Sequence, residues 1–202
     1  MNPETATRPK IPRLVGGAPC LDFVNTVGYR GREDGGEERL PDYAALVDWA
    51  ALVGILDAPA AAAARGAAEA DPARAAAVAA EARELREAIA RLFQGRPRAD
   101  DLALVNRLLA EAPRARLERR GAGFGWSAAD DTLRAPLWPI LWNAADLMTG
   151  AERERVRCCA DPECRWMFLD TARNRPRLWC SMEDCGNRAK ARRHYLRAKR
   201  RG

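Results

Sequence analysis

Residues 159–190 run CADPECRWMFLDTARNRPRLWCSMEDCGNRAK. Two cysteine pairs in this stretch share one spacing, Cys159-x4-Cys164 and Cys180-x4-Cys185, with fifteen residues between them. Short cysteine pairs around an insert of this length are a metal-site arrangement. A zinc ion takes four soft ligands at the corners of a tetrahedron, each short pair supplies one edge, and the insert returns the chain. Disulfides suit oxidising compartments and small secreted domains, a redox pair the tighter C-x-x-C spacing. An iron–sulfur cluster also takes four thiolates. These readings stay open beside a single structural zinc. Cys158 could stand in for its neighbour, but the equal spacing favours Cys159. Cys20 reads as an ordinary buried thiol.

Within the insert, Arg165–Asp170 reads as one strand, Asn174 as the turn and Arg177–Trp179 as the returning strand. Ser181 is a good N-cap, so a helix is expected to start there with Cys185 in its first turn. Knuckle, hairpin and helix together describe a treble-clef zinc finger. Cys180-Ser181-Met182 followed by Cys185-Gly186-Asn187-Arg188-Ala189-Lys190 resembles the CGNR zinc finger, as do Phe168, Asp170, Arg173-Asn174 and Trp179. Thr171-Ala172 departs from it where the family more often has Ser before Arg-Asn. Upstream, Leu21-Asp22-Phe23-Val24-Asn25-Thr26 resembles the ABATE domain that accompanies this finger. The resemblance implies a bacterial transcription regulator.

From Gly186 to Arg201 there are eight basic residues and no acidic one. Like charges four residues apart weaken a free helix, so such a run makes sense beside a polyanion. Arg188, Lys190, Arg192, Arg193, Arg197, Lys199 and Arg200 are the candidate nucleic-acid contacts, able to grip phosphate or read guanine edges. Residues 151–202 carry a balance of +8, against −2 for residues 1–150, so the excess charge lies in the last quarter. Leu196 and Ala189 are expected to pack inward with Cys185. Asn187 is expected to tie the helix to the hairpin or to the surroundings of the thiolates. His194 lies beyond the cluster and reads as a phosphate contact or an exposed residue rather than a ligand.

The fold class expected is α+β, mainly helical: an ABATE-like domain, read as regulatory, over 14–150, then a finger over 155–202. Residues 1–13 read as a flexible lead-in. Cys20–Val27 reads as a short strand or extended segment, and residues 28–41, rich in Gly and charge, as an exposed loop. Leu46, Trp49, Ala50, Val53 and Leu56 recur at helical spacing behind a start near Pro41–Asp42. Residues 57–72, Ala-rich, are left between helix and loop. Helices are expected from Ala73 to about Phe93, from about Arg98 to Ala110, and from Pro136 to Thr149 with Gly150 as the stop. Trp138 and Trp142 read as core. Residues 115–127 read as a β-hairpin.

The 202 residues contain one His and two Ser, Ser127 and Ser181. No Ser–His–Asp triad can be assembled from them, and neither glycine run has phosphate-loop spacing. Four thiolates close a zinc site, whereas a catalytic one keeps a position open. A non-enzymatic protein is therefore expected. With no long apolar span and no apolar signal core, a cytoplasmic location is expected. Asp22 and Asn25, polar residues in an apolar segment, are candidates for a small-molecule effector pocket or for local hydrogen bonding. One finger has a small footprint on double-stranded DNA, so a homodimer is expected. The alternative is an RNA-associated or protein-binding zinc adaptor.

Overall fold

The computed structural model describes residues 13–114, 116–120, 123–127, 132–173 and 176–199. Most of the lead-in, the Asn174 turn and Arg200 lie outside them. The order is α1 (Pro19–Val24), β1 (Val27–Gly28), β2 (Glu37–Glu38), α2 (Tyr43–Leu52), α3 (Ala58–Ala70), α4 (Pro72–Phe93) and α5 (Asp101–Glu111). Then come β3 (Arg116–Arg120), β4 (Gly123–Ser127), α6 (Trp138–Thr149), a 3₁₀ turn, β5 (Val156–Cys158), β6 (Met167–Leu169), a π-helical turn (Met182–Gly186) and α7 (Asn187–Lys199). The protein is mainly helical, and its three described sheets are antiparallel two-stranded ribbons.

The segment expected to be extended is α1. Pro19 opens it, its fixed φ already suited to a first turn. Cys20, Leu21, Phe23 and Val24 are all fully buried, packed between α4, α6 and β6. A helix covered on nearly every side shows no polar face, so its period is invisible in the sequence. Phe23 meets Trp49 of α2 at 5.4 Å between ring centroids, and this pair anchors the core.

The Ala-rich run left undecided is helix α3. Asp57 accepts from Ala60 N at 2.9 Å, and Pro59 sits in the first turn. Asp71 repeats the device for α4, accepting from Arg74 N at 3.0 Å ahead of Pro72. Asp42 caps α2 on Ala45 N at 2.7 Å. Each cap satisfies an N–H that the helix leaves unpaired. α6 ends at Gly150, but not through left-handed backbone: its φ is −82°. A Cβ there would come within 2.9 Å of Asp146 O, so the glycine permits a close approach. Trp138 is buried and Trp142 packs partly buried against the same core.

An ion network missed in the sequence fixes the loop between β1 and α2. Arg86 of α4 is buried, and its guanidinium meets Glu38 at 2.6 and 2.7 Å, Glu87 at 3.0 Å and Thr26 Oγ1 at 3.1 Å. Arg30 binds Glu87 from the other side and donates to Val24 O. Burial pushes both carboxyls up, but Arg86 opposes this at Glu38 and Arg30 with Arg86 at Glu87, leaving both below the usual range. Their contribution is therefore present above the unfolded pKa, near 4.3, and is lost as pH falls through the lower folded values. We expect denaturant-measured stability to fall between about pH 5 and pH 3. Arg86→Met should remove the Glu38 part of that dependence and leave the part that Arg30 holds at Glu87. It should cost about 2–3 kcal/mol at pH 7, less than for a sealed pair because both acids reach solvent.

β6 sits between two apolar clusters. Side chains of a strand alternate faces. Met167 and Leu169 enter the main helical core, while Phe168 joins the four cysteines of the pairs. The partner of β6 is β5, with Val156↔Leu169 and Cys158↔Met167. The returning strand expected at Arg177–Trp179 is not one: of this stretch only Leu178 O takes a bond from the knuckle, from Ala160 N at 2.8 Å. The segment after β6 is instead held by Asp170, which accepts from Ala172 N and Arg177 N, both at 3.0 Å.

Candidate metal centre

Cys159 follows β5, Cys164 closes the knuckle before β6, Cys180 precedes the π-helical turn that leads into α7, and Cys185 lies within that turn. The knuckle is shaped by Asp161, whose carbonyl accepts from Cys164 N and Arg165 N, and by Arg165 at φ 55°. Ser181 Oγ accepts from Asp184 N at 3.2 Å, the expected cap, although the first turn it opens is π rather than α.

These elements bring the four ligand sulfurs within 4.8 Å of one another, all four residues buried. Cys164 Sγ and Cys180 Sγ are 3.7 Å apart, and Cys180 Sγ and Cys185 Sγ 3.6 Å. A tetrahedron of Zn–S bonds of about 2.3 Å has edges of about 3.8 Å. A disulfide needs about 2.05 Å. The residues fit a tetrathiolate zinc ion and not two disulfides. Gathering the thiols also splits their titration. Hydrogen bonds from Cys164 and Cys180 lower Cys159, while Cys164 and Cys180 are raised, chiefly through their hydrogen bonds with Cys159. A bound dication resolves this conflict by favouring thiolate at all four positions, with proton release. Cys158 lies outside the cluster, its Sγ on Arg165 O at 3.2 Å. Cys20 is buried in the helical core, where burial pushes its thiol up to about 12.

A family model described as "Putative stress-induced transcription regulator", ABATE, matches residues 17–151, more than half of the chain, and the CGNR zinc finger model matches residues 155–198. The chain belongs to the ABATE family. No curated protein matches it. The CGNR finger holds one zinc ion through Cys159, Cys164, Cys180 and Cys185.

The ABATE part and the finger are joined by specific polar contacts. Asn25, buried in the ABATE part, donates from Nδ2 to Met167 O and accepts at Oδ1 from Met167 N, both at 2.8 Å. It completes the backbone pairing of β6 on the side away from β5. Trp166 Nε1 donates to Val27 O at 2.7 Å, and Leu169 N to Gly16 O at 2.8 Å. Gly31 N donates to Glu163 O at 2.9 Å, and a Cβ on Gly31 would fall 1.8 Å from Pro162 O. Only glycine lets loop and knuckle touch there. Asp22, the other pocket candidate, accepts from Gly16 N at 2.7 Å. Both side chains are thus engaged by the chain's own backbone, as the hydrogen-bonding alternative to an effector pocket expects. The sequence held one signal for this, a buried-type segment carrying an amide. Its partner, 142 residues away, could not be read.

The basic residues divide. Arg188 turns toward the zinc site: its guanidinium meets Asp161 Oδ2 at 2.9 and 3.1 Å and donates to Cys185 Sγ at 3.0 Å. Tetrathiolate zinc carries a net charge of −2, and this contact offsets part of it. Arg192, next on that face, lies 3.9 Å from Glu163. Lys190, Arg193, Arg197 and Lys199 are exposed. Asn187 bonds Glu183 O at 2.9 Å, fastening the π turn to α7 rather than reaching a thiolate. Arg188, expected to touch nucleic acid, takes the place beside the thiolates intended for Asn187. Leu196 is not packed inward but 50% exposed, and no residue of α7 is buried. His194 is exposed and apart from the cluster.

Among the described residues, no helix is long and apolar enough to cross a membrane.

Proposed function

We propose that the chain is a non-catalytic transcription regulator that binds duplex DNA through the outer face of α7, with the CGNR finger in the treble-clef role of presenting that helix. One observation carries the reading: no residue of α7 is buried, all but Ala189 are exposed, and the helix contains no acidic residue. At 100° per residue, Lys190, His194 and Arg197 project opposite to Arg188 and Arg192, with Arg193 on one side of them and the small Ala198 and Ala191 on the other. A basic face bordered by small alanines suits close approach to a major groove. A second copy would supply the second half-site, and an effector acting on the ABATE part would set occupancy.

Selection from random duplex DNA with the zinc-loaded protein, repeated over a salt series, tests this. An enriched motif is expected, with affinity falling steeply as salt rises because bound phosphates release counterions. Arg193→Ala with Arg197→Ala should weaken binding about 10-fold or more at fixed salt, and flatten the salt slope by about two. Binding with no enriched motif, or preference for RNA over duplex, would move the assignment to an RNA-associated role. No binding at low salt would leave a protein adaptor, for which the exposed Leu178, Tyr195 and Leu196 offer an apolar contact.

A further inference from the structure

The four cysteines are buried, Cys164, Cys180 and Cys185 at 5%, 3% and 2% exposure, but these three border a cavity. It has a volume of about 240 Å³ and lies between the ABATE part and the finger. Tyr29 and Arg39 wall it on one side and Trp166 and Arg188 on the other. A metal ion between the sulfurs takes up a small corner of such a volume, and the remainder is room for a small molecule. Cys159, buried to 0% exposure, is not part of the lining. At the floor, Arg188 donates to Cys185 Sγ at 3.0 Å, so a fixed guanidinium stands at one sulfur while the neighbouring sulfur of Cys180 lies 3.6 Å away. Arg188 is itself held by Asp161, and Arg13 at the mouth is held by Glu183.

We propose that this cavity is a thiol-modification site that admits a small hydroperoxide to the Cys185–Cys180 edge of the zinc site. The Cys185 sulfur attacks one peroxide oxygen. The O–O bond breaks, the peroxide takes up two electrons, and one oxygen leaves as hydroxide, its developing charge met by the Arg188 guanidinium. The attacked oxygen stays on sulfur with its own hydrogen, as a sulfenic acid, and the departing hydroxide takes up a proton from solvent. The Cys180 sulfur then attacks that sulfur, the S–O bond breaks, a second hydroxide leaves and the disulfide forms. In sum, two thiolates are oxidised, one peroxide is reduced, and the zinc loses two of its four ligands. The sulfurs need close only from 3.6 Å to about 2.05 Å. This proposal rests on the zinc site and is independent of DNA binding.

Full-length, zinc-loaded protein treated with hydrogen peroxide is the test, read by a chromogenic zinc chelator and by peptide mapping after differential alkylation. Stoichiometric zinc release is expected together with a Cys180–Cys185 linkage. Cys20 and Cys158 should remain alkylatable. Arg188→Gln, confirmed to carry zinc before the assay, should slow release about ten-fold, the worth of one hydrogen bond to a charged group. Arg188→Lys should keep most of the rate. First modification at Cys20 or Cys158 with zinc retained would overturn the proposal. So would equal oxidation of all four ligands, or an Arg188→Gln rate matching the wild-type chain.

Discussion

Stripping the zinc with a strong chelator at neutral pH lowers the thermal midpoint of the entire chain, not of a C-terminal appendage alone. That is the expected result, and the reason is β6. Structural zinc contributes about 10–16 kcal/mol of apparent binding energy in isolated finger peptides, energy that is also folding energy. In this chain the strand next to the knuckle sends Met167 and Leu169 into the helical core and only Phe168 toward the cysteines. When the knuckle opens, the core loses two side chains and α1 loses its cover. If about a third of the zinc energy reaches the shared core, the cost is about 3–5 kcal/mol. In a chain of this size each kcal/mol moves the midpoint by about 2–4 °C. A fall of about 6–20 °C in the helical transition, followed by far-ultraviolet circular dichroism, is therefore expected. Cys164→Ser should act in the same direction. A helical transition unmoved by chelation would show that the two parts fold separately.

Asn25→Ala is the second large effect. The amide of Asn25 satisfies both the N–H and the C=O of Met167 in a buried setting. Its removal leaves two buried backbone groups unpaired, each at about 1–3 kcal/mol. A loss of about 2–5 kcal/mol in denaturant-measured stability is expected, close to that of a large core truncation. Asn25→Asp tests the cause. A carboxylate keeps an acceptor for Met167 N but cannot donate to Met167 O, and it adds a buried charge without a cationic partner. It should be no better than alanine, and its deficit should shrink at low pH, where protonation restores a donor. Equal stability of Asn25→Ala and the wild-type chain would refute this role. Zinc affinity measured on the same variants reports how firmly the ABATE part holds the finger in place.

The zinc ligands were legible because a metal site is a local statement in sequence: ligand type and ligand spacing are both printed along the chain. The starts of α2 and α4 and the hairpin of β3 and β4 were legible for the same reason. Capping residues, helical periodicity and glycine-marked turns act within a few positions of one another. The basic run of α7 was equally plain, since net charge needs no fold to be counted.

What only the tertiary structure decided is every pairing made at long range. α1 hid because burial on all sides leaves no polar stripe. β6 took β5 as its partner, and not the segment after it: Asp170 binds Ala172 N and Arg177 N, and Asn25 occupies the other edge. Arg188 and Arg192 were drawn toward Asp161 and Glu163, which leaves Lys190 and Arg197 to face outward, while Arg193, also exposed, borders the knuckle beside Pro162 and Trp179. Composition places a charge on a helix. Its direction depends on which acids the fold brings opposite, and Coulomb attraction acts through space, not along the chain.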